Sequence, residues 1–75
     1  MDEKIRYFVN GEPQFTDQHK LTVSQILENA GFKPFNQYSL TRDEGNYKYE
    51  DYKEEVPIHM DERFTALYLG STQTS

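Results

Sequence analysis

Seventy-five residues make a single small domain, one that buries only ~60% of the surface its unfolded chain exposes. The absence of cysteine excludes a disulfide framework and a thiolate zinc site, and suits a reducing compartment. Thirteen acids against eight bases give a net charge of −5, which argues against a phosphate backbone as partner. No apolar run approaches a membrane span, and Met1-Asp2-Glu3-Lys4 lacks the apolar stretch of a signal peptide, so the expectation is a soluble cytoplasmic domain.

In chain order, Lys4-Ile5-Arg6-Tyr7-Phe8-Val9 reads as a strand with Ile5, Tyr7 and Val9 alternating onto one face. Asn10-Gly11 is a hairpin signal, because a type I′ turn needs positive φ at both central residues. Gln14 to Asp17 then returns antiparallel, with Pro13 at a strand start or on an edge because it has no N–H.

The best-specified segment follows. Thr22 and Gln25 have the spacing of a capping box, and Leu21 before the cap can staple onto Ile26. Val23, Ile26, Leu27 and Ala30 fall on one helical stripe. Gly31 suits the left-handed position after a helix, Phe32 can fold back on Leu27, and Pro34 prevents resumption. The helix is therefore expected from Val23 to Ala30.

Tyr38 to Arg42 reads as a third strand, Asp43-Glu44-Gly45-Asn46 as its turn, and Tyr47-Lys48-Tyr49 as a short return. Glu50 to Met60 reads as irregular, interrupted by Pro57, with room for a helical turn near Asp51-Tyr52. Phe64 to Leu69 is the last strand, ended by Gly70, with Ser71 to Ser75 as an uncharged, flexible tail. Strand, strand, helix, strand, strand, strand is an α+β order: a mixed sheet of four to five strands with one helix on one face. The last strand is expected beside the first and parallel to it.

Catalytic chemistry is hard to find. His19 and His59 have no metal-ligand spacing, and Asp43-Glu44-Gly45-Asn46 does not keep the register of a calcium loop. The glycines are scattered, so no phosphate cradle forms, and Ser24 and Ser39 lack a His and acid constellation. The chain reads as a non-enzyme with no cofactor or metal. Tyr47, Tyr49 and Tyr52 are interleaved with acids, which favours packing at the sheet edge over stacking on bases.

The remaining candidate is surface. From Asp43 to Glu62 there are eight acids against Lys48 and Lys53, either a solvated face or a steering charge for a basic partner. In the last strand Phe64, Ala66 and Tyr68 share one face and Leu67 and Leu69 the other. Whichever face is not core would join Phe8 and Leu40, flanked by Arg42, in an apolar partner-binding patch; the alternative is that these side chains thicken a small core.

Three segments carry a family resemblance: Tyr7-Phe8-Val9-Asn10-Gly11-Glu12, Lys20-Leu21-Thr22-Val23-Ser24-Gln25-Ile26-Leu27, and Glu62-Arg63-Phe64-Thr65-Ala66. Together with the element order they resemble the small bacterial ubiquitin-like proteins of the multiubiquitin type, over nearly the whole chain. The resemblance implies a ubiquitin-like β-grasp spanning residues 1–70 with a tail at 71–75, monomeric when free. It implies a protein modifier whose carboxyl end is adenylated with ATP by a partner activating enzyme, then passed to a conjugating enzyme and a target. A deubiquitinase-like peptidase belongs to the same implied set of partners. Ubiquitin itself ends in two glycines, whereas this chain has the single Gly70 and five further residues. Either a peptidase exposes Gly70, the preferred site because glycine is unhindered and passes a narrow channel, or the carboxylate of Ser75 is used directly. A sulfur carrier and a non-conjugated binding adaptor are the competing classes.

Overall fold

The computed structural model describes residues 4–70. The first strand, β1 (Ile5–Val9), sends Tyr7 and Val9 inward, with Arg6 and Phe8 alternating to the opposite face. Asn10 and Gly11 both take positive φ, 54° and 82°, which matches the twist of a two-residue hairpin turn. The return strand β2 (Glu12–Thr16) begins two residues earlier than the sequence suggested. Pro13 is tolerated inside it because β2 lies at the edge of the sheet.

β3 (Lys20–Thr22) leads directly into α1 (Val23–Asn29), with Ala30 as the C-cap, one residue short of expectation. The capping box is formed: Thr22 Oγ1 accepts from the Gln25 N–H at 3.1 Å, and Gln25 Oε1 accepts from the Thr22 N–H at 2.9 Å. At the other end, Gly31 at φ 92° donates to the Glu28 carbonyl and Phe32 donates to the Leu27 carbonyl, the two bonds of a Schellman ending. Val23, Ile26 and Leu27 are buried.

A short 3-10 turn at Phe35–Gln37 precedes β4 (Tyr38–Arg42), which turns through Gly45 and Asn46 into the two-residue β5 (Tyr47–Lys48). The segment expected to be irregular contains a strand, β6 (Glu55–Pro57), which pairs antiparallel with β3 in a second, two-stranded sheet. This pairing brings Leu21 and Val56 into the core. Its approach is set by the helix. The first amides of α1 have no partners within the helix, and Val23 N–H donates to the Glu54 carbonyl while Ser24 N–H donates to the Tyr52 carbonyl. A turn does form there, closed by the Glu54 N–H on the Asp51 carbonyl.

The last strand, β7 (Glu62–Tyr68), is central. The five-stranded sheet runs β2-β1-β7-β4-β5; β7 is parallel to β1 and antiparallel to β4. The result is a small α+β domain, a mixed five-stranded sheet with one helix and a small accessory ribbon. Tyr7, Val9, Ile26, Leu27, Leu40, Val56 and Phe64 are almost fully buried at its centre. Among the described residues no helix is long and apolar enough to cross a membrane.

Asn10 fastens the central strand. Its Nδ2 donates to the Ala66 carbonyl at 3.1 Å, its Oδ1 accepts from the Ala66 N–H at 2.9 Å, and its own N–H donates to the Phe64 carbonyl. We expect Asn10→Ala to destabilise the protein by about 1–3 kcal/mol in urea denaturation, through two lost hydrogen bonds and a left-handed backbone. Asn10→Gly, which relieves the backbone, should lose less; equal stability of Asn10→Ala and the parent would refute the fastening role.

Candidate interaction surface and carboxyl-terminal exit

Strand register assigns the outward face of the large sheet. Arg6 pairs with Phe15 and Phe8 with Pro13 across β1 and β2, while Phe8 pairs with Arg63 across β1 and β7. Further along, Thr65 and Leu67 of β7 lie beside Thr41 and Ser39 of β4. Leu67 and Leu69 are more than half exposed on this outward side. Phe8 is half-buried here, with the guanidinium carbons of Arg63 and Arg6 at 4.7 and 5.5 Å from its ring centroid. Arg6 Nε also donates to Asp61 Oδ1 at 2.8 Å, and this contact holds the guanidinium pKa above its ordinary value.

Three residues expected at the partner surface, Leu40, Arg42 and Tyr68, are on the inner side. Leu40 is 1% exposed: its register opposite Ala66 turns it to the core side of β4. Arg42 lies opposite Phe64 on the same inner side. Its Nε donates to the Glu44 carbonyl and its guanidinium lies over Tyr47, so it does not flank Phe8. Tyr68 shares the inner face with Phe64 and Ala66 yet is 54% exposed, because that end of β7 runs past the core. Phe8 thus remains outward together with Arg6, Arg63 and Phe15, while Leu69 lies apart beyond the far end of β7. A single strand could not reveal that grouping, since it is made by cross-strand register; the available signal was the alternation of Arg6 with Phe8 and of Arg63 with Leu67.

Where β7 ends, an aromatic series holds the chain. The rings of Phe32 and Tyr38 and of Tyr38 and Tyr68 have centroids 5.1 and 5.4 Å apart. Leu69 N–H donates to the Gln37 carbonyl at 2.8 Å. Gly70 follows against the Tyr68 ring: a Cβ at position 70 would stand 3.0 Å from the phenol oxygen and 3.2 Å from Cζ. Ser75 and the tail at 71–75 lie outside the described residues. Beside Leu69 a cleft of about 150 Å³ is lined by Ser39, Lys48, Tyr49, Glu50 and Tyr52, well below the usual size of a small-molecule pocket.

The histidines stand apart. His19 lends its backbone carbonyl to Ile58, and His59 Nδ1 lies 3.0 Å from Glu62 Oε1. Among the described residues no group of three or more His, Asp or Glu side chains gathers as metal ligands. Tyr49 packs into the core instead of lying on the sheet edge, and its hydroxyl has no hydrogen-bond partner among the described residues. No family model matches this sequence, and no curated protein or solved structure matches it either.

Burial pushes the Tyr49 and Tyr7 phenols above their ordinary value of 10.0, opposed at Tyr7 by the Asn29 side chain and at Tyr49 by Arg42. The unfolded phenols ionise first, so the contribution of these two tyrosines to stability is constant below pH 10.0 and falls as pH rises through the folded values. A phenolate absorbance titration should show Tyr7 and Tyr49 ionising above pH 10.0. Tyr49→Phe, which removes a buried unpaired hydroxyl, should match or exceed the parent by about 1 kcal/mol and weaken the alkaline loss. Clear destabilisation would mean that the hydroxyl has a stabilising partner.

Proposed function

We propose that this chain is a ubiquitin-like β-grasp protein that acts as a modifier, activated at its carboxyl end by a partner enzyme. The observation that carries the reading is the sheet order β2-β1-β7-β4-β5, with the central, parallel-paired last strand delivering Leu69 and Gly70 to the rim of the sheet. A β-grasp has a hairpin, a helix across one face and a final strand inserted beside the first, and this domain has each of these parts in that order. The resemblance of the hairpin, the capped-helix and the last-strand segments points the same way.

In this reading the protein supplies a folded recognition surface and a carboxylate. One carboxylate oxygen attacks the α-phosphorus of ATP, and pyrophosphate leaves. A thiolate of the partner then attacks the acyl carbon and displaces AMP; an amine of the target finally displaces the thiol. Gly70 is the favoured acyl donor after peptidase trimming. It has no side chain to obstruct a narrow channel, and it lies against the exposed end of the Tyr68 ring. The outward Leu67 and Leu69 would meet the activating enzyme next to the reacting end.

The test uses the full chain and the same chain shortened to end at Gly70, each incubated with a ubiquitin-activating-type enzyme of the same genome and ATP. Pyrophosphate exchange by the shortened chain, and a loss of at least tenfold on Gly70→Val, are the expected results. Replacement of one terminal carboxylate oxygen by sulfur, read by mass spectrometry, would make it a sulfur carrier instead. Absence of exchange by both chains would leave a binding adaptor.

A further inference from the structure

We propose that the outward face of β2, β1 and the start of β7 binds an acidic polypeptide segment of another protein, one that carries an apolar anchor beside its carboxylates. The surface has two parts. Phe15, 63% exposed, and Pro13 form an apolar shoulder on the edge strand. Arg63 and Arg6, both over the Phe8 ring, form a cationic centre next to it.

The chemistry of Arg63 argues for the acid. Its side chain is exposed, and no carboxylate lies within ion-pair distance among the described residues. The ring face attracts the guanidinium and limits its freedom, so less entropy is lost when it binds a ligand. A planar fork of N–H donors fits a carboxylate through two parallel bonds. Arg6, whose charge is already balanced by Asp61, closes one side of the ring and leaves Arg63 as the cation that faces a ligand.

Charge complementarity selects the occupant. This is a cationic spot on a chain of net charge −5. At physiological salt the field of the distant acids is screened beyond ~8 Å, so a local carboxylate still gains from the arginines. A nucleic acid would meet the same repulsion along its whole backbone, with few cations to offset it. Crossing from β2 to β7 and two residues along them separates Phe15 from Arg63 by roughly 10–12 Å. The partner's acid should therefore lie about three or four extended residues from its apolar anchor. Loss of the modifier reading would leave this surface unaffected, because it uses neither Gly70 nor the tail.

Selection of a random displayed peptide library on the intact protein tests the proposal. The expected winners carry Asp or Glu within about four residues of a Phe, Leu or Trp. A synthetic winner should shift the amide resonances of Phe8, Phe15 and Arg63. Arg63→Glu should weaken it at least tenfold while the spectrum stays that of a folded protein, Arg63→Lys should lose part of the affinity, and Lys53→Glu should leave it unchanged. Uncharged or basic winners, no winners, equal binding by Arg63→Glu, or shifts confined to Leu67 and Leu69 would overturn it. So would displacement of the peptide by octauridylate, which would make the surface one for RNA. A concentration-dependent dimer in sedimentation that Arg63→Glu abolishes would make the occupant a second copy.

Discussion

The position of β7 between β1 and β4 is the constraint on which the rest depends. Without it the chain holds two separate hairpins, β1-β2 and β4-β5, and an isolated hairpin is marginal in water. The parallel side of that insertion spans three residue pairs, from Tyr7 to Val9, whereas the antiparallel side spans five. Asn10 strengthens the weaker side by extending it beyond the last residue of β1 with both its side chain and its amide. The residue that makes the first turn is thus also the one that grips the last strand. Positive φ and an amide side chain are both needed there, which a glycine could meet only in part.

A second dependence runs from the helix. Seven residues are too few for α1 to be stable by itself. Its capping box and Schellman ending close both ends locally, but two first-turn amides still need acceptors, and the carbonyls of Tyr52 and Glu54 supply them. That fixes the following residues close enough to β3 for β6 to pair. A stretch with no periodicity of its own is thereby organised by hydrogen-bond demand elsewhere. Tyr52 adds to this, its hydroxyl donating to the Tyr38 carbonyl and its ring packing on Phe35.

This explains what could be read from the residues and what could not. Thr22, Gln25 and Gly31 act through bonds spanning a few residues, so the helix was legible almost to its last position. The Asn10-Gly11 turn was legible for the same reason. β3 and β6 are three residues each and find each other across more than thirty positions, so no local pattern announces them. Leu40 was misplaced because β4 does not alternate cleanly: Ser39 and Leu40 are both buried, and only the pairing with Ala66 shows which side faces the core. Arg42 followed the same error. The grouping of Phe8, Phe15, Arg6 and Arg63 comes from three strands, one of them recruited from the far end of the chain. Phe8 lies on the face opposite Tyr7 and Val9, and Leu69 is half exposed just past the end of β7.

The two outward features divide the sheet between them. The arginines and Phe15 occupy the side of β2, β1 and the beginning of β7, whereas Leu67, Leu69 and Gly70 lie toward its end. A strand rises about 3.3 Å per residue, so Arg63 and Leu69 are separated by roughly 20 Å. Under the two readings proposed above, the cationic end and Gly70 are separate contact points on the same sheet. The aromatic series through Phe32, Tyr38 and Tyr68 ties that exit to the end of the helix, and the Gln37 carbonyl fixes Leu69. Gly70 therefore leaves the sheet at a defined point beside a half-exposed tyrosine, and under the modifier reading proposed above an enzyme working there would meet the Tyr68 ring as well.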